Sequence, residues 1–264
     1  MFQGQVCVPP DGESEANFNA RWQDAEARVR ALRPEPTFDA EQRSLQAQAQ
    51  RRVDEISQDK IFKITFGAVA PSFASVRLDR LLTAQKYVDV DHAENLNVPD
   101  ERNEADVLDF CMRSNPIDPP MVGPDGGITF SSHYAQNLIP LQPTFRKIND
   151  LEVEVAASVI SRPNYVQVSV WNGRYIISNG YHRALALLRA HHTRMPCVLR
   201  AVPSPEAAGF LPPAFFDVSR LGAARPPMAK DFLPESGLTD TLQFRARNHI
   251  LRVGFQVQQF EAPR

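Results

Sequence analysis

The sequence predicts an α+β protein, because segments with the spacing of a helix and segments with the alternation of a strand occur in the same chain. Apolar residues recur at steps of three and four between residues 13 and 33, which is the period of one helix face. Val166, Val168 and Val170 instead alternate with polar residues, as in a half-buried strand. With 264 residues and 43% hydrophobic content, the chain is also long enough to bury a core.

Charge and cysteine content restrict the classes of function. The formal net charge of −2 gives no overall attraction to nucleic acid, so DNA as a partner has no support from charge. The sequence has no run of 18 apolar residues and no basic segment followed by an apolar core, which predicts no membrane partner and a cytoplasmic location. Cys7, Cys111 and Cys197 are isolated and odd in number, which predicts packed thiols rather than a disulfide framework or a zinc site.

Residues 1–58 are predicted to form a helical N-terminal arm. Its first helix ends at Pro34, and a second helix is expected from Phe38 or Asp39 to about Ser57, with Asp39 as its N-cap. The second helix has a narrow apolar face among many Gln and Arg residues. Such helices lie on their own domain or on another protomer, so formation of a homo-oligomer through this arm is one hypothesis.

Residues 59–137 are predicted to be a mixed α/β extension. Residues 62–66 alternate like a strand, whereas residues 76–88 have the pattern of an amphipathic helix. A short helix is expected at residues 104–112. The turn sequence Asp125-Gly126-Gly127 lies between two apolar segments and predicts a hairpin.

Residues 138–203 contain the motif with a chemical meaning. Asn172-Gly173 predicts a two-residue hairpin turn, since both central positions of that turn need a positive φ. The second strand of the hairpin then enters a polar turn, Ser178-Asn179-Gly180, which opens a helix from Tyr181 to about Ala190. The first N–H groups of a helix lack intrahelical partners and the helix dipole is positive there, so this turn predicts a site for an anion.

The order of elements resembles a known family. Residues 173–190 (GRYIISNGYHRALALLRA) followed by residues 195–198 (MPCV) are similar to the ParB N-terminal domain, with its strand, Gly-x-x-Arg turn, alanine-rich helix and closing strand. Residues 139–146 and 151–160 are similar to that family's leading Gln-Pro segment and its first helix. Gly180-Tyr181-His182-Arg183 also resembles the Gly-Cys-His-Arg of sulfiredoxin, which has the same fold. The resemblance implies a ParB/sulfiredoxin-like mixed sheet with helices as the core.

The resemblance also implies a ligand, a nucleoside triphosphate of unspecified base, with Mg²⁺ as an ion that accompanies it. In those families the Gly-x-x-Arg turn binds the nucleotide phosphates. His182 and Arg183 are the candidate catalytic residues, and they lie in the first turn of the helix, where cations are unfavourable unless an anion lies between them. The candidate nucleotide-binding residues are Gln142, Ser178, Asn179, Gly180, Tyr181, His182 and Arg183.

Departures from the two families narrow what the resemblance implies. Tyr181 stands where sulfiredoxin has its reactive cysteine, so the sulfinic acid reductase reaction has no nucleophile. Tyr181-His182 stand where chromosome-partitioning ParB has Glu-Arg, so specificity for cytidine triphosphate is not implied. Residues 204–264 are proline-rich and have no helix-turn-helix pattern, so they are expected to wrap the core and to end in an edge strand at residues 250–260.

Three functions stay open at this point. The first is nucleotide binding, with nucleoside triphosphatase activity as an option. The second is a metal-dependent DNA phosphodiesterase or nuclease, for which residues 89–94 (DVDHAE) are an acidic cluster of the kind that holds a divalent ion. The third is a non-catalytic ParB-fold interaction platform, in which Arg183 pairs with a carboxylate such as Glu152 or Glu154.

Overall fold

Helices and a mixed five-stranded sheet occur together, which confirms the α+β class. The computed structural model describes residues 14–34, 38–67, 71–113, 117–131, 138–161, 163–211, 215–239 and 250–254. The chain divides into two compact units: unit 1 is Met1–Arg113 with Tyr165–Arg245, and unit 2 is Ser114–Asn164 with Ala246–Arg264. No helix within the described ranges is long and apolar enough to cross a membrane.

The described residues contain seven α-helices and twelve strands. The helices are α1 (Glu15–Arg30), α2 (Ala47–Gln58), α3 (Lys60–Phe66), α4 (Val90–Glu94), α5 (Glu104–Cys111), α6 (Tyr181–Arg189) and α7 (Val218–Leu221). The strands are β1 (Ser72–Arg77), β2 (Leu82–Thr83), β3 (Met121–Val122), β4 (Ile128–Ser131), β5 (Leu138–Pro140), β6 (Thr144–Lys147), β7 (Val153–Ala156), β8 (Val159–Ser161), β9 (Gln167–Trp171), β10 (Arg174–Asn179), β11 (Arg194–Ala201) and β12 (Ile250–Val253).

The main sheet of unit 1 has the strand order β1-β11-β9-β10-β2. Strands β9 and β10 form an antiparallel hairpin that turns at Asn172 and Gly173. The φ angles of these two residues, 49° and 72°, are both positive, which confirms the predicted turn. Strand β11 is parallel to β9, β2 is parallel to β10, and β1 is antiparallel to β11. Helix α6 connects β10 to β11, so the turn singled out in the sequence lies at one end of β10.

The core of unit 1 joins helices α2, α5 and α6 to this sheet. Seven of the nine residues of α6 are buried, so it is a core helix rather than a surface helix with one apolar face. Helix α2 contributes Ala49, Val53 and Ile56 to the same core. The second helix of the N-terminal segment therefore lies on its own domain, which is one of the two placements that its sequence predicted.

The described part of residues 204–239 packs within unit 1 through a smaller apolar cluster. Met228 forms a β-bridge with Leu82, and the N–H of Ala229 donates to the carbonyl oxygen of Leu81 at 2.8 Å. Apart from the four-residue helix α7, residues 204–239 form turns, short 3₁₀ segments and extended chain where they are described. The buried residues of the cluster are Leu82, Ala84, Ile176, Phe210, Leu221 and Met228.

Several local predictions are confirmed. Helix α5 forms at the expected place, and the Oδ1 atom of Asn103 caps it by accepting from the N–H of Asp106 at 3.4 Å. Strands β3 and β4 form the expected hairpin, with Gly126 at a φ of 74° in its turn. Strand β12 lies at the edge of the sheet β12-β4-β3, while residues 255–260 of the predicted edge strand lie outside the described residues.

Residues 38–46 are not helical, contrary to the prediction, and α2 begins only at Ala47. Asp39 therefore does not cap α2, and its Oδ1 atom accepts from the N–H of Glu41 at 2.9 Å. Arg43 and Ser75 exchange two backbone hydrogen bonds of 2.9 Å each. This bridge to β1 replaces the helical hydrogen bonds that the local sequence alone favoured.

The predictions for residues 62–66 and 76–88 were also wrong. Residues 62–66 are helical because Asp59 starts α3: its Oδ1 atom accepts from the N–H of Phe62 at 3.1 Å. In residues 76–88, burial is not confined to one helix face, so the chain forms the end of β1, a 3₁₀ turn and β2 instead. The fully buried side chains of this segment include Val76, Leu78, Leu81 and Leu82.

Residues 151–160 form strands rather than the helix that the resemblance implied. Val153 and Val155 alternate with Glu152 and Glu154, and this period of two matches the pairing of β7 with β6. The predicted core segment, residues 138–203, is also divided between the two units, because residues 138–164 belong to unit 2. Residues 167–201 do contain the predicted order of a strand, a turn, a strand, a helix and a strand.

Candidate functional site

The connection from β10 to α6 turns at Gly180, which has a left-handed backbone with φ 92° and ψ 26°. A Cβ atom at this position would lie 2.7 Å from Cγ2 of Val166 and 3.2 Å from its Cα atom. Glycine is therefore required both by the backbone angle and by the packing of the turn against Val166. Neither requirement involves a ligand.

Asn179 fastens this turn from within the chain. Its Nδ2 atom donates to the carbonyl oxygen of Tyr165 at 2.9 Å, and its Oδ1 atom accepts from the N–H of Gly180 at 2.9 Å. Ser178, the preceding residue of β10, is half-buried. The amide of Asn179 is thus engaged in holding the strand-to-helix connection.

Tyr181 begins α6 with its side chain in the core. The residue is buried, and its hydroxyl group donates to the carbonyl oxygen of Ile177. Burial raises the pKa of the Tyr181 phenol well above its ordinary value, so the group stays protonated at neutral pH. The Tyr181 side chain therefore has a structural role at the start of α6.

Arg183 caps the end of another helix. The residue is only 7% exposed, and its Nη1 atom donates to the carbonyl oxygen of Cys111 at 2.7 Å. The carbonyl oxygens of Phe110 and Arg113 lie farther away, at 3.5 Å each. These carbonyls belong to the C-terminal end of α5, which is the negative end of the helix dipole.

A contact of Arg183 with backbone carbonyls was not among the expectations from the sequence. The Nη1 atom donates to backbone carbonyls, and the two carboxylates proposed as partners have contacts within unit 2: Glu154 forms an ion pair with Arg146 at 2.8 Å, and Glu152 accepts from Nδ2 of Asn149 at 3.2 Å. The sequence did contain a signal for it. Helix α5 has no basic residue in its last turn, and the residue after Cys111 is Met112 rather than glycine, so its terminal carbonyls need a donor from elsewhere.

His182 is largely buried where α6 packs against α4. Its Nε2 atom accepts from the backbone N–H of Asp89 at 3.1 Å, and its ring meets the ring of His92 edge-on with centroids 4.8 Å apart. Burial, and secondarily His92, lowers the pKa of His182 to about 4. At neutral pH the imidazole is therefore uncharged and carries its proton on Nδ1.

The acidic cluster at residues 89–94 also has internal partners. The Oδ1 atom of Asp89 caps α4 by accepting from the N–H of His92 at 2.9 Å. Glu94 forms an ion pair with Arg189 of α6. In the part of the chain that the structure describes, no group of three or more His, Cys, Asp or Glu residues is placed to hold a metal ion.

The remaining sequence candidates belong to unit 2 or are buried in unit 1 where they are described. Gln142 is an exposed residue of unit 2, whereas residues 178–183 belong to unit 1. Cys111 and Cys197 are free and buried, as predicted, and burial raises the pKa of Cys111 to about 12. Cys7 lies outside the described residues.

Unit 2 contains an exposed antiparallel β structure that was not expected from the sequence. Residues 138–161, the β arm, form two consecutive antiparallel two-stranded sheets, in which β5 pairs with β8 and β6 pairs with β7. All 19 residues from 140 to 158 are exposed. The available signal was the alternation of Val153 and Val155 with acidic residues, which is typical of a strand with one apolar face.

The outer part of the β arm exposes apolar side chains. The exposed fraction is 70% for Phe145, 58% for Val153 and 42% for Val155. Leu151, in the connection between β6 and β7, is 99% exposed. Charged side chains of the β arm form ion pairs with each other: Arg146 with Glu154 at 2.8 Å, and Lys147 with Asp150 at 2.6 Å.

Comparison of the chain with protein-family models, with curated proteins and with solved structures finds no match.

Proposed function

We propose that this chain is a non-catalytic, ParB/sulfiredoxin-like interaction platform that binds a partner through the β arm. The observation that carries the proposal is the apolar side of the arm, in which Phe145, Val153 and Val155 are exposed within an unbroken run of 19 exposed residues. In this proposal, unit 1 keeps the strand-turn-helix order of the family as a scaffold.

The state of the ParB-like turn favours a platform over an enzyme. Asn179, Tyr181 and Arg183 each bind a backbone carbonyl of the same chain, and His182 is an uncharged acceptor for a backbone N–H. In a phosphate-binding site these donors would be directed at the ligand. Their hydrogen bonds instead connect β10, α5 and α6 with each other.

The physical chemistry of the β arm favours a bound partner. A two-stranded hairpin on its own is only marginally stable in water, and three or more strands or packing against another element are needed for independent stability. A two-stranded sheet such as β6-β7 with an exposed apolar face is therefore a surface that gains stability when it is covered. Aromatic residues such as the exposed Phe145 are enriched in the cores of protein interfaces.

The proposal is tested with two variants of adjacent residues in β7. Val155→Asp places a charge on the apolar face, whereas Ala156→Asp places the same charge on the opposite face of the same strand. Both variants and the wild type are expressed as full chains in the cells that produce this protein, and the size of each native complex is measured by gel filtration. We expect Val155→Asp to lose a complex that the wild type and Ala156→Asp retain. Equal elution of all three at the mass of the chain alone would contradict the proposal.

Nucleotide binding at Gly180 is a second candidate. The specific observation in its favour is that Gly180, as the N-cap of α6, has no side chain with which to accept from the first-turn N–H groups, and these groups are the kind that bind phosphate. This candidate is tested by calorimetry of the wild type with each ribonucleoside triphosphate, with and without Mg²⁺. The absence of a heat of binding with all of them would contradict it. Hydrolysis of the nucleotide and the nuclease alternative stay predictions.

A further inference from the structure

We infer that residues 88–100, the α4 strap, release from α6 when His182 takes up a proton, so that mild acid opens this part of unit 1 while the rest of the unit stays folded. This property of unit 1 does not depend on the proposed function of the β arm. It follows from how α4 lies along α6, from the role of His182 as a hydrogen-bond acceptor, and from the shallow burial of the strap.

Helix α4 is attached to α6 at both of its ends. At the first end, the N–H of Asp89, the N-cap of α4, donates to Nε2 of His182 at 3.1 Å. At the last end, the carboxylate of Glu94 forms an ion pair with Arg189. His182 and Arg189 are seven residues apart in α6, which is about two helical turns, so they lie on the same face of the helix. Helix α4 therefore runs along this face, in the same direction as α6.

The contact at the first end requires an uncharged His182. Nε2 can accept from the N–H of Asp89 only while it carries no proton, because both nitrogens of a protonated imidazole are donors. Protonation would therefore place two N–H groups against each other in a largely buried position. It would also place a positive charge beside the ring of His92, whose centroid is 4.8 Å from that of His182. The contact that fixes the start of α4 is thus lost when the proton binds.

The groups around His182 keep this proton off at neutral pH. Burial has the largest effect, and together with His92 of α4 and Arg183 of α6 it lowers the pKa of His182 to about 4, whereas Asp89 acts in the opposite direction. The other charged residues of α6 and of the elements packed on it are Arg189 in α6, Asp91 and Glu94 in α4, Asp79 and Arg80 in the 3₁₀ segment Leu78–Arg80, and Lys230 and Asp231 in the 3₁₀ segment Ala229–Phe232. The strap is therefore closed at neutral pH.

The strap has little apolar burial to hold it closed. In residues 88–100, all of which the structure describes, Ala93 is the single buried residue. Three further apolar side chains are only partly buried against the core: Val88, Leu96 and Val98. The N–H of Ala93 donates to the carbonyl oxygen of Asp89, so this hydrogen bond of α4 need not break when the strap opens. Segments with few buried apolar contacts open at a lower free energy than the whole domain.

Contacts on either side of the strap keep its ends in place. Before it, Gln85 forms a β-bridge with Phe215. After it, Glu101 accepts from the N–H of Thr193 at 2.5 Å and from its hydroxyl group at 2.7 Å. Burial acts in the opposite direction, but these hydrogen bonds hold the pKa of Glu101 below its ordinary value, so this anchor persists in mild acid. Opening is therefore confined to the residues between the two anchors.

The test is amide hydrogen exchange of the purified full chain, measured by NMR at pH 7.5 and pH 5 and corrected for the intrinsic exchange rate at each pH. With a pKa of about 4 in the closed form and an ordinary value of 6.5 in the open form, the opening constant should be roughly 30-fold larger at pH 5. We expect the amides of Ala93 and Asn95 to lose protection by this factor. At both pH values they should be less protected than the amides of β9 and β10, which exchange through unfolding of unit 1.

Three variants separate the proton on His182 from other effects of acid. His182→Gln can still accept from the N–H of Asp89 but does not titrate, so its opening constant should be the same at both pH values. His191→Gln removes an exposed histidine just after the end of α6 and should respond to pH like the wild type. Glu94→Gln removes the ion pair at the other end of α4, so its strap should open up to about fivefold more at both pH values and keep the response to pH.

Three results would overturn the inference: equal protection of the strap and of β9 and β10, a wild-type strap with the same protection at both pH values, or a His182→Gln chain that responds to pH like the wild type. If circular dichroism shows that His182→Gln does not fold, urea decides in the wild type at pH 5. Local opening exposes little surface, so about 1 M urea should lower the protection of β9 and β10 but not that of the strap. An equal fall in both would overturn the inference.

Discussion

Replacing Arg183 by alanine should destabilise unit 1 rather than remove a ligand from a folded protein. The guanidinium is buried, and its Nη1 atom donates to the carbonyl oxygen of Cys111 at 2.7 Å. A hydrogen bond that involves a charged group contributes about 1.5–3 kcal/mol. Interaction with the negative end of the α5 dipole adds to this, up to about 2 kcal/mol in a partly buried geometry. We therefore expect Arg183→Ala to lower the free energy of unfolding by about 3 kcal/mol.

The loss is measured by urea denaturation followed by circular dichroism. With a denaturant slope of about 1–3 kcal/mol per molar urea, the expected loss moves the midpoint by about 1 M or more. Arg189→Ala is the matched control on the same helix. Its guanidinium pairs with Glu94 at the surface, and such a pair contributes less than about 1 kcal/mol.

The opposite result would refute the capping role of Arg183. If Arg183→Ala is as stable as Arg189→Ala, the contact with the α5 carbonyls contributes nothing. If Arg183→Ala also keeps the fold but loses nucleotide binding that the wild type displays, Arg183 belongs to a phosphate site.

Two further predictions concern the same turn. Gly180→Ala should lower the free energy of unfolding by about 2–4 kcal/mol, because it forces a left-handed backbone on alanine and makes its Cβ clash with Val166. Adding Val166→Ala to the same chain should recover part of this loss. An unchanged free energy of unfolding in Gly180→Ala would contradict the packing argument. The pKa of His182 is about 4 in the folded protein, compared with an ordinary value of 6.5 in the unfolded chain. Between these two pH values the unfolded chain binds the proton more readily, so the free energy of unfolding falls as the pH drops from 6.5 towards 4. Chemical denaturation at several pH values should show this loss, up to about 3 kcal/mol, in the wild type and not in His182→Gln.

The sequence alone predicts the elements around the turn well because their signals are local. The Asn172-Gly173 dipeptide specifies a tight hairpin by its own backbone preferences, and Gly180 specifies the left-handed start of α6. Neither signal depends on what the rest of the chain does. The elements from β9 to β11 therefore appear in the expected order.

Predictions that depend on distant neighbours could not be made in this way. Arg183 lies 72 residues from Cys111, so nothing near it in the sequence indicates that its partner is the end of α5. Residues 76–88 looked like a helix because their apolar residues fit one face, yet the fold buries them between β11 on one side and the C-terminal segment on the other. In both cases tertiary contacts override the local pattern.

A strand, a left-handed glycine and a helix can be held together entirely by contacts within the chain. In this turn Gly180 packs against Val166, and Arg183 binds the α5 carbonyls, so these contacts account for the strand-turn-helix connection without a phosphate. The β arm has no such internal explanation, because its apolar side chains face solvent. Arg183 and Val155 lie in different units. A loss of stability in Arg183→Ala combined with a loss of association in Val155→Asp would therefore separate the scaffold from the binding surface, because neither result follows from the other.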